Sequence, residues 1–253
     1  MLDEKVGRFG RGISYSLSPE IHKSFAKEHG IDIVYEIFDI PTDPIGFIEN
    51  FFKQGGIGLN ITKPYKEIAA KKFSRDLNSV NCLYGKPINS SSTDGAGLIA
   101  DLKSKNIETQ DKNILIWGMG GAGISILKEF SQNQITFIAN RSKEKLSMIH
   151  NSFSNVEEYA NQEIDLVIMC VQDIDQNTEK QIKKINLSKD AYIYDINYTG
   201  NTFNAIETLE LVPKGRIFNG LGMLVEQAAE SYRLWFNYLP STENIKNLLN
   251  ERL

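Results

Sequence analysis

The chain has 253 residues, a formal net charge of −4 and a hydrophobic fraction of 41%. Because a domain usually has roughly 100 to 200 residues, this length predicts two domains, and the apolar content is sufficient for their cores. The chain has no basic block, which argues against a nucleic-acid partner, and its 3 histidines are too scattered to predict a metal site.

The N-terminal region predicts a helix followed by a strand. The first residues, M-L-D-E-K, carry charge where a signal peptide needs an apolar core, so we expect a cytoplasmic protein. Ser18-Pro19-Glu20 predicts a helix start, with a capping serine and a proline in the first turn, and this helix is expected to end at Gly30. Ile33 to Ile40 then predicts a strand.

The next segment predicts a second helix and strand. Thr42 is a candidate cap for a helix that ends at Gly55-Gly56, and Ile57 to Ile61 predicts a short strand. The apolar residues spaced to face inward from the helix are Ile45, Ile48, Phe51 and Phe52. Two βαβ-type units therefore follow one another, which predicts an α/β domain.

The residues up to 105 complete the first domain and lead into the second. Leu83-Tyr84 and Ile88 predict two short strands around Gly85-Lys86-Pro87. Asp94 to Lys105 predicts a helix that links the two halves. We therefore assign residues 1 to 98 to an N-terminal α/β domain.

The stretch from Asn113 to Arg141 predicts a strand, a glycine turn, a helix and a second strand. Gly118, Gly120 and Gly123 have the G-x-G-x-x-G spacing of a dinucleotide-binding turn. The first glycine permits the sharp turn, the second lets a pyrophosphate approach the backbone, and the third lets the helix pack closely. The spacing therefore predicts a nucleotide site; the alternative is a glycine-rich turn that only packs two elements.

The end of the second strand indicates which dinucleotide binds. An NAD site usually has an acidic residue about 20 residues past the glycines, whereas this chain has Asn140, Arg141 and Ser142 there, followed by Lys143 and Lys145. A guanidinium binds a 2′-phosphate that a carboxylate would repel, so the sequence favours NADP. The alternative is a capping serine followed by a solvated basic helix face.

The second half continues the pattern of a Rossmann domain, to which we assign residues 99 to 220. Lys143 to His150 predicts a helix, and Ile164 to Val171 and Ala191 to Ile196 predict buried strands. Asn219 to Tyr238 predicts a long helix, and a last helix is expected to be capped near Ser241. These C-terminal helices, within residues 221 to 253, follow the cofactor-binding strands and are free to pack back on the first domain.

Two further features limit the class of protein. The longest nearly charge-free run, Ile114 to Leu127, contains four glycines and is shorter than the roughly 18 residues of a membrane helix. Cys82 and Cys170 lie in apolar, strand-like surroundings without metal or redox spacing, so we expect buried thiols.

Eight sequence stretches together resemble one enzyme family. They are S-Y-S-L-S-P-E-I-H, G-L-N-I-T-K-P-Y-K-E, S-V-N-C-L, S-T-D-G-A-G-L, G-M-G-G-A-G, N-R-S-K-E-K, D-I-N-Y and G-L-G-M-L-V-E-Q-A. In this order, and across nearly the whole chain, they resemble the shikimate dehydrogenase family. The resemblance implies reversible NADPH-linked reduction of 3-dehydroshikimate to shikimate, in the pathway to aromatic amino acids.

The resemblance also implies roles for individual residues. Lys66 and Asp94 match the catalytic pair. The positions that match substrate contacts are Ser16, Ser18, Thr62, Asn81, Tyr198 and Gln227. The positions that match the cofactor site are Gly118, Gly120, Gly121, Ala122, Gly123, Asn140, Arg141, Ser142, Lys145 and Gly220.

The chemistry of these residue types agrees with those roles. Reduction of a ketone by hydride needs a proton donor beside the carbonyl, and a lysine ammonium oriented by an aspartate can supply it. The alternatives are a solvated lysine at a helix start for Lys66 and a turn or capping aspartate for Asp94. Ser16 and Ser18 are expected to bind a carboxylate through their hydroxyls without a buried arginine, although Ser18 can instead cap the helix.

Departures from the family pattern leave other functions open. The first motif lacks the family's glycine and proline before histidine-serine, and Ser92 replaces an asparagine. A quinate-preferring or broad-range relative is therefore the nearest alternative, although the paired serines favour shikimate. A noncatalytic NADP-binding regulator and a different lysine-dependent NADP dehydrogenase are further alternatives. We expect a monomer or homodimer.

Overall fold

The computed structural model describes residues 4–39, 43–132 and 134–252. The chain divides into two compact units by its internal contacts. The first unit comprises Met1–Gly97 together with Val225–Leu253, and the second comprises Leu98–Leu224. The predicted α/β fold with two domains is confirmed, as is the return of the C-terminal helices to the first unit.

The N-terminal part of the chain forms a mixed sheet with helices. Its elements are β1 (Glu4–Gly10), α1 (Ser18–His29), β2 (Ile33–Asp39), α2 (Pro44–Lys53), β3 (Gly58–Ile61), α3 (Lys66–Phe73), β4 (Cys82–Tyr84), β5 (Asn89–Ser91) and α4 (Asp94–Ser104). The strand order is β2-β1-β3-β4-β5. β1 is parallel to β2 and β3, whereas β4 is antiparallel to both of its neighbours.

The second unit contains a parallel sheet of six strands. The elements that follow α4 are β6 (Ile114–Trp117), α5 (Gly121–Phe130), β7 (Thr136–Ala139), α6 (Lys143–His150), β8 (Val156–Glu158), β9 (Ile164–Met169), α7 (Gln176–Ile182), β10 (Leu187–Asp195), α8 (Thr202–Thr208), β11 (Ile217–Phe218), α9 (Leu221–Phe236) and α10 (Glu243–Asn250). The strand order is β11-β10-β9-β6-β7-β8, and every pair is parallel. Numbered within the unit, this is the Rossmann order 3-2-1-4-5-6, so the predicted Rossmann domain is confirmed.

Alternating side chains along β6 fill two cores, one on each face of the Rossmann sheet. Ile114 and Ile116 belong to one buried cluster, and Leu115 and Trp117 belong to the other. Because successive side chains of a strand point to opposite faces, a continuous apolar run is what a strand covered on both sides requires. No helix within the described ranges is long and apolar enough to cross a membrane.

The predicted bounds of α1 are confirmed, and its predicted cap is corrected. α1 begins at Ser18, and Gly30 caps its end with a left-handed φ of 73°. Ser18 is not the cap, because Leu17 takes that position and no side chain caps the helix there. The predicted cap Thr42 and the strand end Ile40 lie outside the described residues.

An aspartate side chain caps the start of α2. The carboxylate of Asp43 caps α2 by accepting the Gly46 N–H group at 3.0 Å.

Cys82 is buried, as expected, and burial raises the pKa of its thiol to about 12. Cys170, which follows β9, is only half-buried, so the expectation of a buried thiol is wrong for this residue.

An aromatic layer joins α1 and α9 to the sheet of the first unit. His22 is fully buried and stacks between Tyr35 and Trp235, with ring centroids 4.7 and 4.8 Å away. Gly58 permits this packing, since a Cβ atom there would lie 2.4 Å from the indole of Trp235. Burial removes water from the imidazole and lowers the pKa of His22 to about 3.

His22→Phe should flatten the acid-side fall in the free energy of unfolding. The unfolded chain binds a proton on His22 near the ordinary pKa of 6.5, whereas the folded chain does not do so until about pH 3. Within this window the wild-type protein therefore loses about 1.4 kcal/mol per pH unit through His22. Denaturant titrations followed by tryptophan fluorescence, between about pH 7 and about pH 4, measure the slope. His150→Phe changes an exposed histidine and is the control; equal slopes for His22→Phe and the wild type would contradict the expectation.

Candidate active site

Segments from four strands of the first unit converge on one edge of its sheet. β1, β3 and β5 run in the same direction, while β4 runs in the opposite one. The ends of β1, β3 and β5 and the start of β4 therefore lie at the same edge, which is where α/β sheets bind ligands. The predicted residues next to these strand ends are Ser16, Ser18, Thr62, Lys66, Asn81 and Asp94.

Lys66 and Asp94 form an ion pair at this edge. The Lys66 Nζ atom donates to Asp94 Oδ2 at 2.5 Å, and the two side chains are 17% and 9% exposed. Each residue is the first of its helix, α3 or α4. A carboxylate is favoured at a helix N-terminus, which suits Asp94, whereas the Lys66 ammonium has the aspartate as its compensating partner. The predicted catalytic pair is thus in direct contact.

An amide network holds the second oxygen of Asp94. Asn81 Nδ2 donates to Asp94 Oδ1 at 2.9 Å, to Thr93 Oγ1 at 2.9 Å and to Gln227 Oε1 at 3.2 Å. The Asn81 Oδ1 atom accepts the backbone N–H of Thr93 at 2.8 Å. Thr93 Oγ1 in turn donates to the backbone carbonyl of Gln227 at 3.0 Å. Asn81 therefore orients Asp94, and α9 supplies Gln227 to complete the network.

The predicted serines lie against an arginine that the sequence did not predict as a site residue. Arg8 in β1 donates from Nη1 to Ser16 Oγ at 2.9 Å and to Ser18 Oγ at 2.8 Å. Its Nη2 atom donates to Thr62 Oγ1 over a longer 3.4 Å. A half-buried arginine thus lies beside the hydroxyls, where the sequence had indicated hydroxyls alone. Arg8 shortly precedes the serine motif in the sequence, and this was the signal that could have identified it, but β1 itself was not predicted.

Asp39 at the end of β2 shapes the loop that carries Ser16. Its two carboxylate oxygens accept the backbone N–H groups of Gly12 and Ile13 at 2.9 and 3.0 Å. Ile13 is buried, and its carbonyl accepts the N–H of Ser16 at 3.0 Å. These bonds give the loop a fixed shape without the glycine and proline of the family motif.

The predicted glycine turn of the second unit has the geometry that the spacing requires. Gly118 has a φ of 106°, a left-handed conformation that favours glycine. A Cβ atom on Gly123 would lie 2.1 Å from the Gly118 carbonyl oxygen, so only glycine lets α5 approach the turn. Gly120 differs, because a Cβ atom there would point into open space.

This arrangement fits a dinucleotide. α5 begins with Gly121 and Ala122, and the first turn of a helix leaves N–H groups available to an anion. The open space beside Gly120 is where a pyrophosphate would approach the backbone. The turn lies between β6 and β9, the point at which the strand order reverses. The residues present therefore fit the nucleotide that the sequence predicts.

The residues after β7 connect to the glycine turn. Asn140 Oδ1 accepts the N–H of Met119 at 3.1 Å, so Asn140 fastens the turn. Ser142 caps α6 by accepting the Lys145 N–H at 3.2 Å, and its hydroxyl donates to Glu144 at 2.7 Å. The alternative of a capping serine is thus confirmed as a structural role. It does not exclude a cofactor contact.

Arg141, Tyr198 and Gly220 complete the predicted residues of the second unit. Arg141 is 75% exposed, and its Nη1 atom lies 3.5 Å from the carboxylate of Asp175. Gly220 approaches the end of β10 so closely that a Cβ atom would lie 2.0 Å from the Ile196 carbonyl oxygen. Tyr198 is half-buried just past β10. It belongs to the second unit, whereas the other five predicted substrate contacts belong to the first.

Two protein-family models match parts of the chain. The model for the shikimate dehydrogenase substrate binding domain matches residues 9–80. The model for the shikimate 5'-dehydrogenase C-terminal domain matches residues 220–249. The two matched segments contain the serine loop, the strand end before Lys66 and the helix that carries Gln227.

Full-length relatives extend this similarity. The shikimate dehydrogenase (NADP(+)) of Legionella pneumophila (strain Lens) is 36% identical over 254 residues, covering 93% of this chain and 94% of that protein. That of Buchnera aphidicola subsp. Baizongia pistaciae is 34% identical over 267 residues, covering 96% and 95%. The crystal structure of shikimate 5-dehydrogenase from Thermus thermophilus in complex with NADP(H) and shikimate has a TM-score of 0.83 at 19% identity, covering 99% of this chain and 100% of that one. This last similarity is one of fold.

Asn81→Ala should lower the free energy of unfolding by roughly 1 to 3 kcal/mol, because it leaves the buried N–H of Thr93 and one oxygen of Asp94 without their partner. Denaturant titration at neutral pH measures the loss. Asn89→Ala, which changes an exposed asparagine, should stay within about 0.5 kcal/mol of the wild type. A loss for Asn81→Ala no larger than that of the control would show that the amide network does not stabilise the fold.

Proposed function

Because the chain belongs to the shikimate dehydrogenase family, we propose that it catalyses the reversible NADPH-linked reduction of 3-dehydroshikimate to shikimate. The observation that carries this function is the Lys66–Asp94 ion pair at the carboxyl edge of the sheet. The shikimate pathway leads to aromatic amino acids, so the enzyme is a biosynthetic oxidoreductase. NADP is its cofactor.

Lys66 and Asp94 act on the proton of the reaction. In the direction of reduction, bound NADPH supplies a hydride to the carbonyl carbon. The Lys66 ammonium donates its proton to the carbonyl oxygen, which becomes the hydroxyl of shikimate. Asp94 holds the ammonium by a charge-assisted hydrogen bond. In the direction of oxidation, Lys66 accepts the proton from the hydroxyl.

The proposed substrate contacts fall into two groups of the first unit. Ser16, Ser18 and Thr62 surround the guanidinium of Arg8 and are assigned to the substrate carboxylate. Asn81 and Gln227 lie beside the ion pair and are assigned to the ring hydroxyls. For Tyr198 we keep the substrate contact that the sequence resemblance implies.

The cofactor assignment rests on the glycine turn and on the residues after β7. The backbone from Gly118 to Gly123 is assigned to the pyrophosphate, and Arg141, Ser142 and Lys145 are assigned to the 2′-phosphate. The Arg141–Asp175 pair does not prevent this role. An exposed pair is worth only about 0 to 1 kcal/mol, so a phosphate of higher charge can displace Asp175.

The remaining assignments follow from the sequence. We assign substrate binding to residues 1 to 98, NADP binding to residues 99 to 220, and packing on the substrate domain to residues 221 to 253. A cytoplasmic location, a monomeric or homodimeric state and the lack of a nucleic-acid partner stay predictions.

A steady-state assay with shikimate and quinate, each with NADP and NAD, tests the function. We expect turnover with shikimate and NADP, and slower turnover with quinate. Lys66→Met should lower kcat by about 10² to 10⁴, the usual contribution of general acid–base catalysis, while KM for shikimate changes less. Lys71→Met, which changes an exposed lysine of the same helix, is the matched control.

Three outcomes would contradict parts of this function. No turnover of shikimate by the folded wild-type protein would reject the dehydrogenase and favour the noncatalytic regulator. A higher specificity constant for quinate than for shikimate would identify quinate as the preferred substrate. Near-normal kcat for Lys66→Met would remove Lys66 from the proton transfer.

Arg141→Ala should raise KM for NADP by about 10- to 100-fold and leave KM for NAD nearly unchanged, because only NADP carries the 2′-phosphate. Lys143→Ala removes an exposed positive charge two residues away and should have a small effect on both. Equal increases for the two cofactors would show that Arg141 does not contact the phosphate.

A further inference from the structure

Arg8 lies near the carboxyl end of β1, at the edge of the sheet that carries the proposed substrate contacts (the substrate edge), and neither the family motifs nor the proton transfer requires it. We propose that its guanidinium binds the carboxylate of the substrate, together with the hydroxyls of Ser16 and Ser18. The assignment rests on the proposed function, because it needs a substrate with a carboxylate. It adds a cation to a site at which the sequence predicted hydroxyls alone.

The register of the sheet places Arg8 at the substrate edge. It lies near the end of β1, beside Asn60 of β3 and Ile37 of β2. Asn60 donates to the Asn81 carbonyl at 3.3 Å, and Asn81 holds Asp94. The arginine is therefore one strand away from the segment that leads to the catalytic pair.

The hydrogen bonds leave Arg8 able to bind an anion. A guanidinium has five N–H donors in one plane, and the described residues accept from it at only three atoms, the hydroxyl oxygens of Ser16, Ser18 and Thr62. The Ser16 hydroxyl donates its own proton to Ser18 Oγ at 3.1 Å, so this proton has to turn away from Ser18 to reach a bound carboxylate. A carboxylate placed beside the guanidinium would meet the N–H donors that these three hydroxyls leave unused, and a guanidinium binds a carboxylate more strongly than it binds neutral oxygens.

The charge of Arg8 has no carboxylate partner among the ion pairs of the described residues. Four other arginines do have one: Arg141 with Asp175, Arg216 with Asp190, Arg233 with Glu230, and Arg252 with Glu20. Arg8 is also half-buried between its neighbouring strands. A partly desolvated cation that contacts only neutral oxygens is best stabilised by an anion, and the substrate brings one.

A purely structural role would be to tie the serine loop to β1. The two roles predict different effects on substrates with and without a negatively charged carboxylate. A structural arginine affects every substrate equally, because its loss moves the loop. A carboxylate-binding arginine matters for the acid and much less for its methyl ester, which has no negative charge.

The test compares shikimate with its methyl ester in the wild-type protein and in Arg8→Met. For shikimate, KM should rise by about 10- to 100-fold, as expected for the loss of a hydrogen bond between charged groups. The value of kcat should change little, since the carboxylate is bound equally in the ground state and the transition state. For the ester, KM should change by less than about 3-fold, a free-energy change under about 0.7 kcal/mol. Arg11→Met removes an exposed arginine three residues away and should leave both substrates unaffected.

Equal increases in KM for the acid and the ester would overturn the assignment and give Arg8 the structural role. If Arg8→Met does not fold, Arg8→Lys gives the same comparison: it keeps the charge but not the planar fork, so KM should rise for the acid alone. A wild-type protein that does not oxidise shikimate would reject the proposed function and this assignment with it. If the wild-type protein oxidises shikimate but the ratio of KM for shikimate to KM for the ester is the same in the variants, only the role of Arg8 is rejected.

Discussion

The ion pair between Lys66 and Asp94 sets requirements that extend across the first unit. A largely buried ion pair is stable only when the remaining atoms of both charges have partners. The second oxygen of Asp94 has Asn81, and Asn81 is held by Thr93 and Gln227. Gln227 comes from α9, more than a hundred residues later in the chain. The return of the C-terminal helices to the first unit therefore completes the polar network around Asp94, in addition to covering one face of the sheet.

The parts that could be predicted from the sequence are those that local geometry determines. Gly118 and Gly123 are required by a left-handed φ and by a contact within the same turn, and both constraints act over five residues. The bounds of α6, predicted as Lys143 to His150, are reproduced because Ser142 caps the helix and Leu146 and Ile149 give it a buried stripe. Apolar runs such as β6 were equally clear, because both faces of the strand are buried.

The parts that could not be predicted depend on contacts between distant residues. β1 has charged residues and glycines within seven positions, so it lacks both the alternation and the apolar run of a strand. Pairing with β2 on one side and β3 on the other makes this segment a strand. Ser18 has the sequence signature of a cap, but Arg8 and Ser16 bind its hydroxyl instead. Whether a serine caps a helix or faces a guanidinium depends on which strand lies beside it, and that is a property of the sheet.

The charges at the substrate edge bear on how the proton donor is restored after the reaction. Arg8, Lys66 and Asp94 carry two positive charges and one negative charge, so a substrate with one carboxylate brings the sum over these three side chains and the substrate to zero, which lowers the cost of removing these charges from water. In the proposed reaction Lys66 gives its proton to the substrate oxygen, so the charge of Asp94 loses its partner, while Arg8 keeps the carboxylate as its proposed partner. A partly buried carboxylate without a cationic partner is costly, so the site favours the intact ion pair once the product has left. In this proposal, the interaction that orients the proton donor also favours its restored form for the next turnover.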